Sequence, residues 1–400
     1  MRSDPQQLVG AIDVSHTSHT TSNTGIQRVA RNLSRELRRY VADLDLLTFD
    51  LFQSRWRSLN SKEMNCLHPT GQVRPSSRRR PRWTGRQKLF GLFQRYRVDW
   101  FQKRPRVDFV LFPEIYSEKV QAEMARIRSS SSAACYAIFH DAIAWKFPEW
   151  ATSKTAIRYP NYMDSLLDMD GVIAVSEASL ADLESFWRSR GVSESSWPRR
   201  TVVYLGADNS NEAVRQVRGK RPIVTCVATL EPRKNHLALL SGAAYLWEEG
   251  HDFELRLVGG LRREDGEEIV DAIGRFQERG YPLRWDGVVS DQEVEQAYAE
   301  ADFVAYPSLY EGYGLPVIEA MVHGKPVLTT PCGSLSEVVA AGGCHVLRDT
   351  SASAIADGLR EMLTDSALRA RLGEEVVQRK LRTWEACAAD IIDFIGGAEN

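Results

Sequence analysis

No C-x-x-C pair occurs in this chain; its six cysteines stand apart at positions 66, 135, 226, 332, 344 and 387. That spacing points to neither a zinc site nor a disulfide framework. Cys135 and Cys226 fall in apolar stretches, where a buried thiol is expected. No apolar run reaches the roughly 18–20 residues that cross a bilayer. The stretch Met1–Ser15 lacks the hydrophobic segment of a secretory signal, so a cytoplasmic location is expected. Walker A, G-x-G-x-x-G and H-E-x-x-H patterns are missing. So are RNP, helix-turn-helix and zinc-finger signatures, which removes nucleic acid from the expected partners.

What is present is enough for two cores. The chain has 400 residues, 43% hydrophobic and 26% charged, as in soluble globular proteins. Its net charge of −2 hides an asymmetry. Residues 1–208 hold 31 Lys and Arg against 22 Asp and Glu, a balance of +9; the remainder holds 20 against 31, a balance of −11. Residues 74–106 alone contain 12 basic residues and one acid, Asp99. A basic half facing an anionic partner is the expectation.

Apolar runs of strand length recur with helical stretches between them. "LVGAIDVS", "LDLLTFDL", "VDFVLFPE", "AACYAIFHD", "GVIAVSEAS" and "RTVVYLGAD" form one series. "PIVTCVATL", "FELRLVGG", "LRWDGVV", "DFVAYPS", "KPVLTTP" and "GCHVL" form a second. Strands apolar almost throughout are those of parallel sheets covered on both faces. The fold class is therefore α/β, with two doubly wound Rossmann-like domains facing a central cleft. Boundaries are set at 1–208, with a basic insertion at 55–106, then 209–382, then a helix at 383–400 packing back on the first domain. The polar stretch 209–221 is the expected linker. Within the insertion, "QKLFGLFQRYRVDWFQKR" places Leu89, Phe93, Tyr96 and Trp100 on one helical face. With Arg78, Arg79, Arg80 and Arg82 before it, this reads as a basic amphipathic element for an anionic membrane surface.

The segment "PSLYEGYGLPVIEAMVHGKPVL" (307–328) carries the most specific chemistry. Glu311 opens a Gly-Tyr-Gly turn, and Pro316 suits the first position of a helix that Gly324 ends. The backbone N–H groups of Gly314 and Leu315 then point from a helix start, a site for an anion. Glu311 and Glu319 flank it. Carboxylates beside a phosphate cradle suit neutral hydroxyls, which describes a nucleotide-sugar pocket.

This segment, with "VATLEPRKNHLALL" (227–240), "TGIQRVARNL" (24–33), "HDAIAWKFPEW" and "GVIAVSEASLADL", resembles the retaining family-4 glycosyltransferases of GT-B architecture. The resemblance is strongest over residues 223–340. It implies that Lys234 touches the donor diphosphate, Glu319 the ribose hydroxyls and Glu311 a sugar hydroxyl. His140 is implied near the reacting sugar and Val288 beside the base. Gly25 lies at the phosphate-side helix start. The family often has arginine where Thr229 stands, so that contact is assigned to neighbouring Arg233. The leaving diphosphate gathers negative charge, and Arg233 and Lys234 are the groups to meet it. Neither glutamate is a nucleophile in this reading, and no cofactor or metal is expected. Asp168-Met-Asp170 has the spacing of a D-x-D metal motif but precedes a strand, where a turn explains it. His16 and His19 are candidates for contact with acceptor. The expected function is transfer of a hexose from a nucleoside-diphosphate sugar, GDP-mannose first and dTDP-rhamnose next. The acceptor is a lipid-linked or membrane-proximal glycan in polysaccharide assembly, reached by a peripheral protein at the inner face of the membrane. A non-catalytic sugar-nucleotide-binding subunit and a sugar-nucleotide epimerase are the alternatives.

Overall fold

The structure is a computed structural model that describes residues 8–69, 85, 107–130, 133–207, 221–262 and 266–397. The expected linker up to residue 220, and Arg78, Arg79, Arg80, Arg82, Phe93 and Trp100, lie outside the described residues. The chain divides into two units. The first comprises Met1–Trp145, Ser153–Gly206 and Trp384–Asn400; the second comprises Lys146–Thr152 and Ala207–Thr383.

The first unit is built on β1 (Val9–Asp13), β2 (Asp43–Asp50), β3 (Arg55–Ser58), β4 (Phe109–Phe112), β5 (Ala134–Phe139), β6 (Gly171–Ala174) and β7 (Arg199–Val202). Their order in the sheet is β3-β2-β1-β4-β5-β6-β7. All neighbours are parallel except β2 and β3, which run antiparallel. The stretch read only as an insertion thus begins with an edge strand and a short helix, Ser61–Leu67. Its strand is four residues of alternating Arg and apolar or small side chains, too short to signal by periodicity. The helix Trp384–Ile395 closes this unit. Tyr136 donates to the Ile395 carbonyl at 3.3 Å and Arg199 to that of Phe394 at 2.8 Å. Gly171 makes the approach possible: a Cβ there would stand 2.8 Å from the Phe394 ring.

The second unit carries β8 (Ile223–Val227), β9 (Glu254–Val258), β10 (Leu283–Trp285), β11 (Phe303–Tyr306), β12 (Val327–Thr329) and β13 (Cys344–Val346), ordered β10-β9-β8-β11-β12-β13 and parallel throughout. Trp247 stacks with Phe253 and with Tyr281, ring centres 5.2 and 4.9 Å apart. Lys146–Thr152, which the chain reaches from the first series of strands, belongs to this unit. Arg262 donates to the Trp150 carbonyl at 2.6 Å, and Phe147 packs on Tyr310 at 5.1 Å.

One device recurs at strand entrances. Asp108 accepts from the Val9 N–H at 2.7 Å, Asp170 from Cys135 at 2.7 Å, and Asp302 from Ile223 at 2.8 Å. Each aspartate at the start of one strand satisfies a backbone donor of its neighbour, as buried N–H groups require. Asp170 is therefore a strand-entry cap.

Candidate functional site

In each sheet the chain moves first to one side of its opening strand and then to the other. Ligands of open parallel sheets bind beyond the carboxyl ends of strands at that reversal. In the second unit the reversal lies between β8 and β11. The turn Pro232–Lys234 follows β8, and Glu311 follows β11. Arg233, Lys234 and Glu311 meet there. Lys234 Nζ donates to Glu311 Oε1 at 2.5 Å and to the Tyr306 hydroxyl at 2.6 Å. Tyr306 in turn donates to the same carboxylate at 2.9 Å, and Ser308 at 2.5 Å. Arg233 Nη1 lies 2.7 Å from Glu311 Oε2 and donates to the Tyr310 carbonyl at 2.7 Å. Its other nitrogen reaches Glu231 at 2.8 Å, and Arg262 reaches Glu231 at 3.1 Å.

This is a cluster of three cations and two carboxylates, nearly all of it buried. Burial alone would raise the Glu311 carboxyl, but the charges of Arg233 and Lys234 hold it down at about 2. Burial opposes the Arg233 charge; Glu311 and Glu231 outweigh it and keep the guanidinium above its usual range. Burial and the like charge of Arg233 push Lys234 below its usual value. The net excess of one positive charge, held in fixed orientation, is suited to an anion such as a diphosphate.

Gly314 caps the helix Leu315–Val322 with φ of +94°, so the helix starts one residue before Pro316. A Cβ on Gly314 would approach Leu335 at 2.6 Å. Among the described residues, no acceptor is found for the N–H groups of Gly314 and Leu315. Glu319 is half-buried one turn further on, accepting from the Tyr298 hydroxyl at 3.1 Å. Thr229 is half-buried in the segment between β8 and Arg233. Val288 is 43% exposed, and a Cβ on Gly260 would stand 2.6 Å from its side chain. Gly259 has φ of +144° and admits no Cβ, which would meet the Ala228 carbonyl at 1.9 Å.

In the first unit the reversal lies between β1 and β4. Gly25 begins the helix Gly25–Glu36 and is exposed, while Thr24 N–H donates to Gln27 Oε1 at 3.1 Å. The polar loop before it is ordered by side chains. Glu114 accepts from the N–H groups of His16 and Thr17, both at 2.9 Å. Arg31 donates to the carbonyls of Ser22 and Thr20 at 2.9 and 3.0 Å. His19 is turned inward: Nδ1 faces the Ser15 carbonyl at 2.9 Å and Nε2 the Glu63 carboxylate at 3.0 Å. With both ring nitrogens engaged inside the protein, His19 has a bracing role. Burial raises Glu114, and burial with Glu114 nearby pushes Asp13 up to about 7, against the hydrogen bonds of Ser15 and Trp56 that pull the other way. His140 follows β5, and its Nε2 lies 2.7 Å from the Pro113 carbonyl. A carbonyl only accepts, so Nε2 carries the proton and Nδ1 is the accepting nitrogen. Burial lowers its pKa and keeps the ring neutral.

The structure brings together Glu311, Arg233 and Lys234, and it sets Gly314, Leu315 and Glu319 on one short helix. It adds residues that the sequence did not single out: Tyr306, Ser308, Glu231, Arg262 and Tyr298, with Asp13 and Glu114 in the first unit. Tyr306 and Ser308 carried a usable signal, polar groups at the exit of an apolar strand. Arg262 and Glu231 carried none, since only folding sets them beside Arg233.

Residues 208–379 match the family model described as glycosyl transferases, group 1. The serotype-specific mannosyltransferase WbdA of Escherichia coli is 26% identical over 232 residues, 54% of this chain and 28% of that protein. The O-antigen chain mannosyltransferase B of Escherichia coli is 32% identical over 168 residues, 42% of this chain and 44% of that protein. The chain thus spans less than half the length of either relative. Anabaena HepE, solved with UDP and glucose, superposes with a TM-score of 0.69 at 16% identity, over 98% of this chain and 100% of that one. The fold is GT-B.

Proposed function

We propose, for a GT-B chain that carries a group 1 glycosyl transferase domain, that it moves a hexose from a nucleoside-diphosphate sugar to a glycan acceptor. The observation that carries this reading is the buried Arg233–Lys234–Glu311 cluster at the end of β8 and β11, beside a helix start whose Gly314 and Leu315 N–H groups find no acceptor among the described residues. Arg233 and Lys234 meet the diphosphate as its charge grows, and the N–H groups of Gly314 and Leu315 add dipoles of the same sense. Glu319 holds the ribose hydroxyls, and Glu311 positions both cations while accepting from a sugar hydroxyl. His140 accepts from a sugar hydroxyl through Nδ1. Gly25 lies on the phosphate side, and Thr229 and Val288 border the nucleotide.

The anomeric configuration is retained. The acceptor oxygen attacks the anomeric carbon from the face that the diphosphate leaves. The carbon–oxygen bond to phosphate breaks, and the acceptor proton passes to a phosphate oxygen of the leaving group. No metal is required, because arginine and lysine supply the charge. The donor is GDP-mannose, as the mannosyl activity named for the two Escherichia coli relatives suggests, with dTDP-rhamnose next. The acceptor is a lipid-linked or membrane-proximal glycan in polysaccharide assembly, and the basic stretch 74–106 draws the protein to the inner face of the cytoplasmic membrane.

The test is transfer from labelled GDP-mannose and dTDP-rhamnose to lipid-linked glycan in the presence of EDTA, with the product anomer assigned by NMR. Transfer with an α product from an α-linked donor is expected. Conversion of the donor sugar without transfer supports the epimerase alternative, and donor binding without turnover supports the non-catalytic one.

A further inference from the structure

Tyr298 links the two functional ends of the short helix Leu315–Val322. It lies on the helix Asp291–Glu300, with its ring fully buried. Its hydroxyl stands 3.1 Å from Glu319 Oε2 and 3.3 Å from the Pro316 carbonyl. The same ring stacks on His323 at 5.5 Å with planes 18° apart. Glu319 and His323 are one turn apart on one helix face, so a single side chain holds both. The corner is tied a second time, because the buried Lys325 ammonium donates to the Ala299 carbonyl at 2.7 Å.

We propose that Tyr298 is a positioning residue for Glu319, through which the enzyme distinguishes ribose from deoxyribose in its nucleotide; this rests on the GDP-mannose reading above, since dTDP carries a 2′-deoxyribose. A carboxylate that receives a vicinal diol must present its plane at a fixed angle, and the terminal torsion of a glutamate is intrinsically broad. A hydroxyl bonded to Oε2 fixes that plane before the ligand arrives, so less order is lost on binding. The Pro316 carbonyl is a second acceptor within 3.3 Å of the same hydroxyl, so its one proton is shared between the carboxylate and the first turn of the helix. Ribose and phosphate contacts are thereby held in one frame.

Tyr298→Phe keeps the ring, its packing and the His323 stack, and removes only the hydroxyl. Calorimetric titration would compare UDP and GDP with their 2′-deoxy and 3′-deoxy counterparts on the wild type, Tyr298→Phe, Glu319→Gln and the double variant. The wild type is expected to prefer a ribonucleotide over one deoxy form by about tenfold or more. Tyr298→Phe should cut that preference about three- to tenfold and leave affinity for the deoxy form unchanged. In the Glu319→Gln background the tyrosine change should have no further effect. A full ribose preference in Tyr298→Phe overturns the positioning role and leaves the donor reading standing. Equal binding of ribo and deoxy forms by the wild type overturns the ribose assignment of Glu319, and the role of Tyr298 with it.

Discussion

The Lys234 ammonium lies 2.5 Å from Glu311 Oε1, inside a site from which water is largely excluded. A buried ion pair of this kind is a weak source of stability when intact, and removing one member is costly because the other is left uncompensated. Here Arg233 shares the same carboxylate, so the loss of Glu311 strands two cations.

Glu311→Gln should therefore destabilise the second unit by about 3–5 kcal/mol at neutral pH, measured by urea unfolding. The folded carboxyl is held at about 2 against an ordinary 4.5. A depressed acid contributes stability above its unfolded pKa and loses it as pH falls through its folded value. The gap between wild type and Glu311→Gln should thus narrow as pH falls from about 4.5 to about 2, by about 3 kcal/mol. A gap constant over that window contradicts the ion-pair account.

Asp13 shows the opposite sign. Burial lifts it to about 7 from an ordinary 3.8. The folded state keeps the proton while the unfolded chain ionises, so wild-type stability falls as pH rises from about 4 to about 7. Asp13→Asn removes that loss. Its stability relative to wild type should improve by a few kcal/mol, order ~4, between pH about 4 and about 8. Equal pH profiles for the two proteins would show that Asp13 is charged in the fold.

Lys234→Ala should lower kcat about 10²- to 10³-fold while weakening donor binding far less, because charge on the leaving diphosphate grows toward the transition state. Steady-state kinetics with a saturating donor separates the two. EDTA should leave the wild-type rate intact. A rate abolished by EDTA and restored by manganese would return Asp168 and Asp170 to consideration, against the strand-entry role seen for Asp170.

The basic stretch should bind anionic lipid. Each basic side chain near such a surface contributes about 1 kcal/mol. The Debye length falls from about 10 Å at 0.1 M salt to about 3 Å at 1 M. Sedimentation with anionic vesicles is expected at low salt and release at high salt, with little retention on neutral vesicles. Changing Arg78, Arg79, Arg80 and Arg82 to Ser should cut binding and spare transfer to a water-soluble acceptor analogue. A wild type that ignores anionic vesicles at low salt removes the support for a membrane-proximal acceptor.

Apolar runs such as those around Val110, Ile138 and Val304 reported the parallel sheets because a strand buried on both faces has few other compositions. Glu311, Lys234 and Glu319 stood out in the sequence through segments that resemble a known family, but that Lys234 meets Glu311 was not legible, since the two lie 77 residues apart. Nor were Tyr298, Arg262 and Glu231: each acts on a residue at least two positions away in sequence and mostly on another element, and a tyrosine in a helix reads as core. The antiparallel strand Arg55–Ser58 was missed because an alternation of only four residues, two of them arginine, is too short to signal a strand. The bracing of His19 was not legible, since its partner Glu63 lies 44 residues on, in the stretch that broke the alternation.

The most direct test is calorimetric titration of nucleoside diphosphates, beginning with GDP, dTDP and UDP, against the wild type and Glu319→Ala. A nucleotide should bind the wild type, and the variant should bind it about 10- to 100-fold more weakly, a loss on the order of 1–3 kcal/mol, with its melting temperature little changed. Equal affinity in the two proteins, or no binding of any nucleotide to the wild type, would contradict a nucleotide-sugar site at the end of β8 and β11.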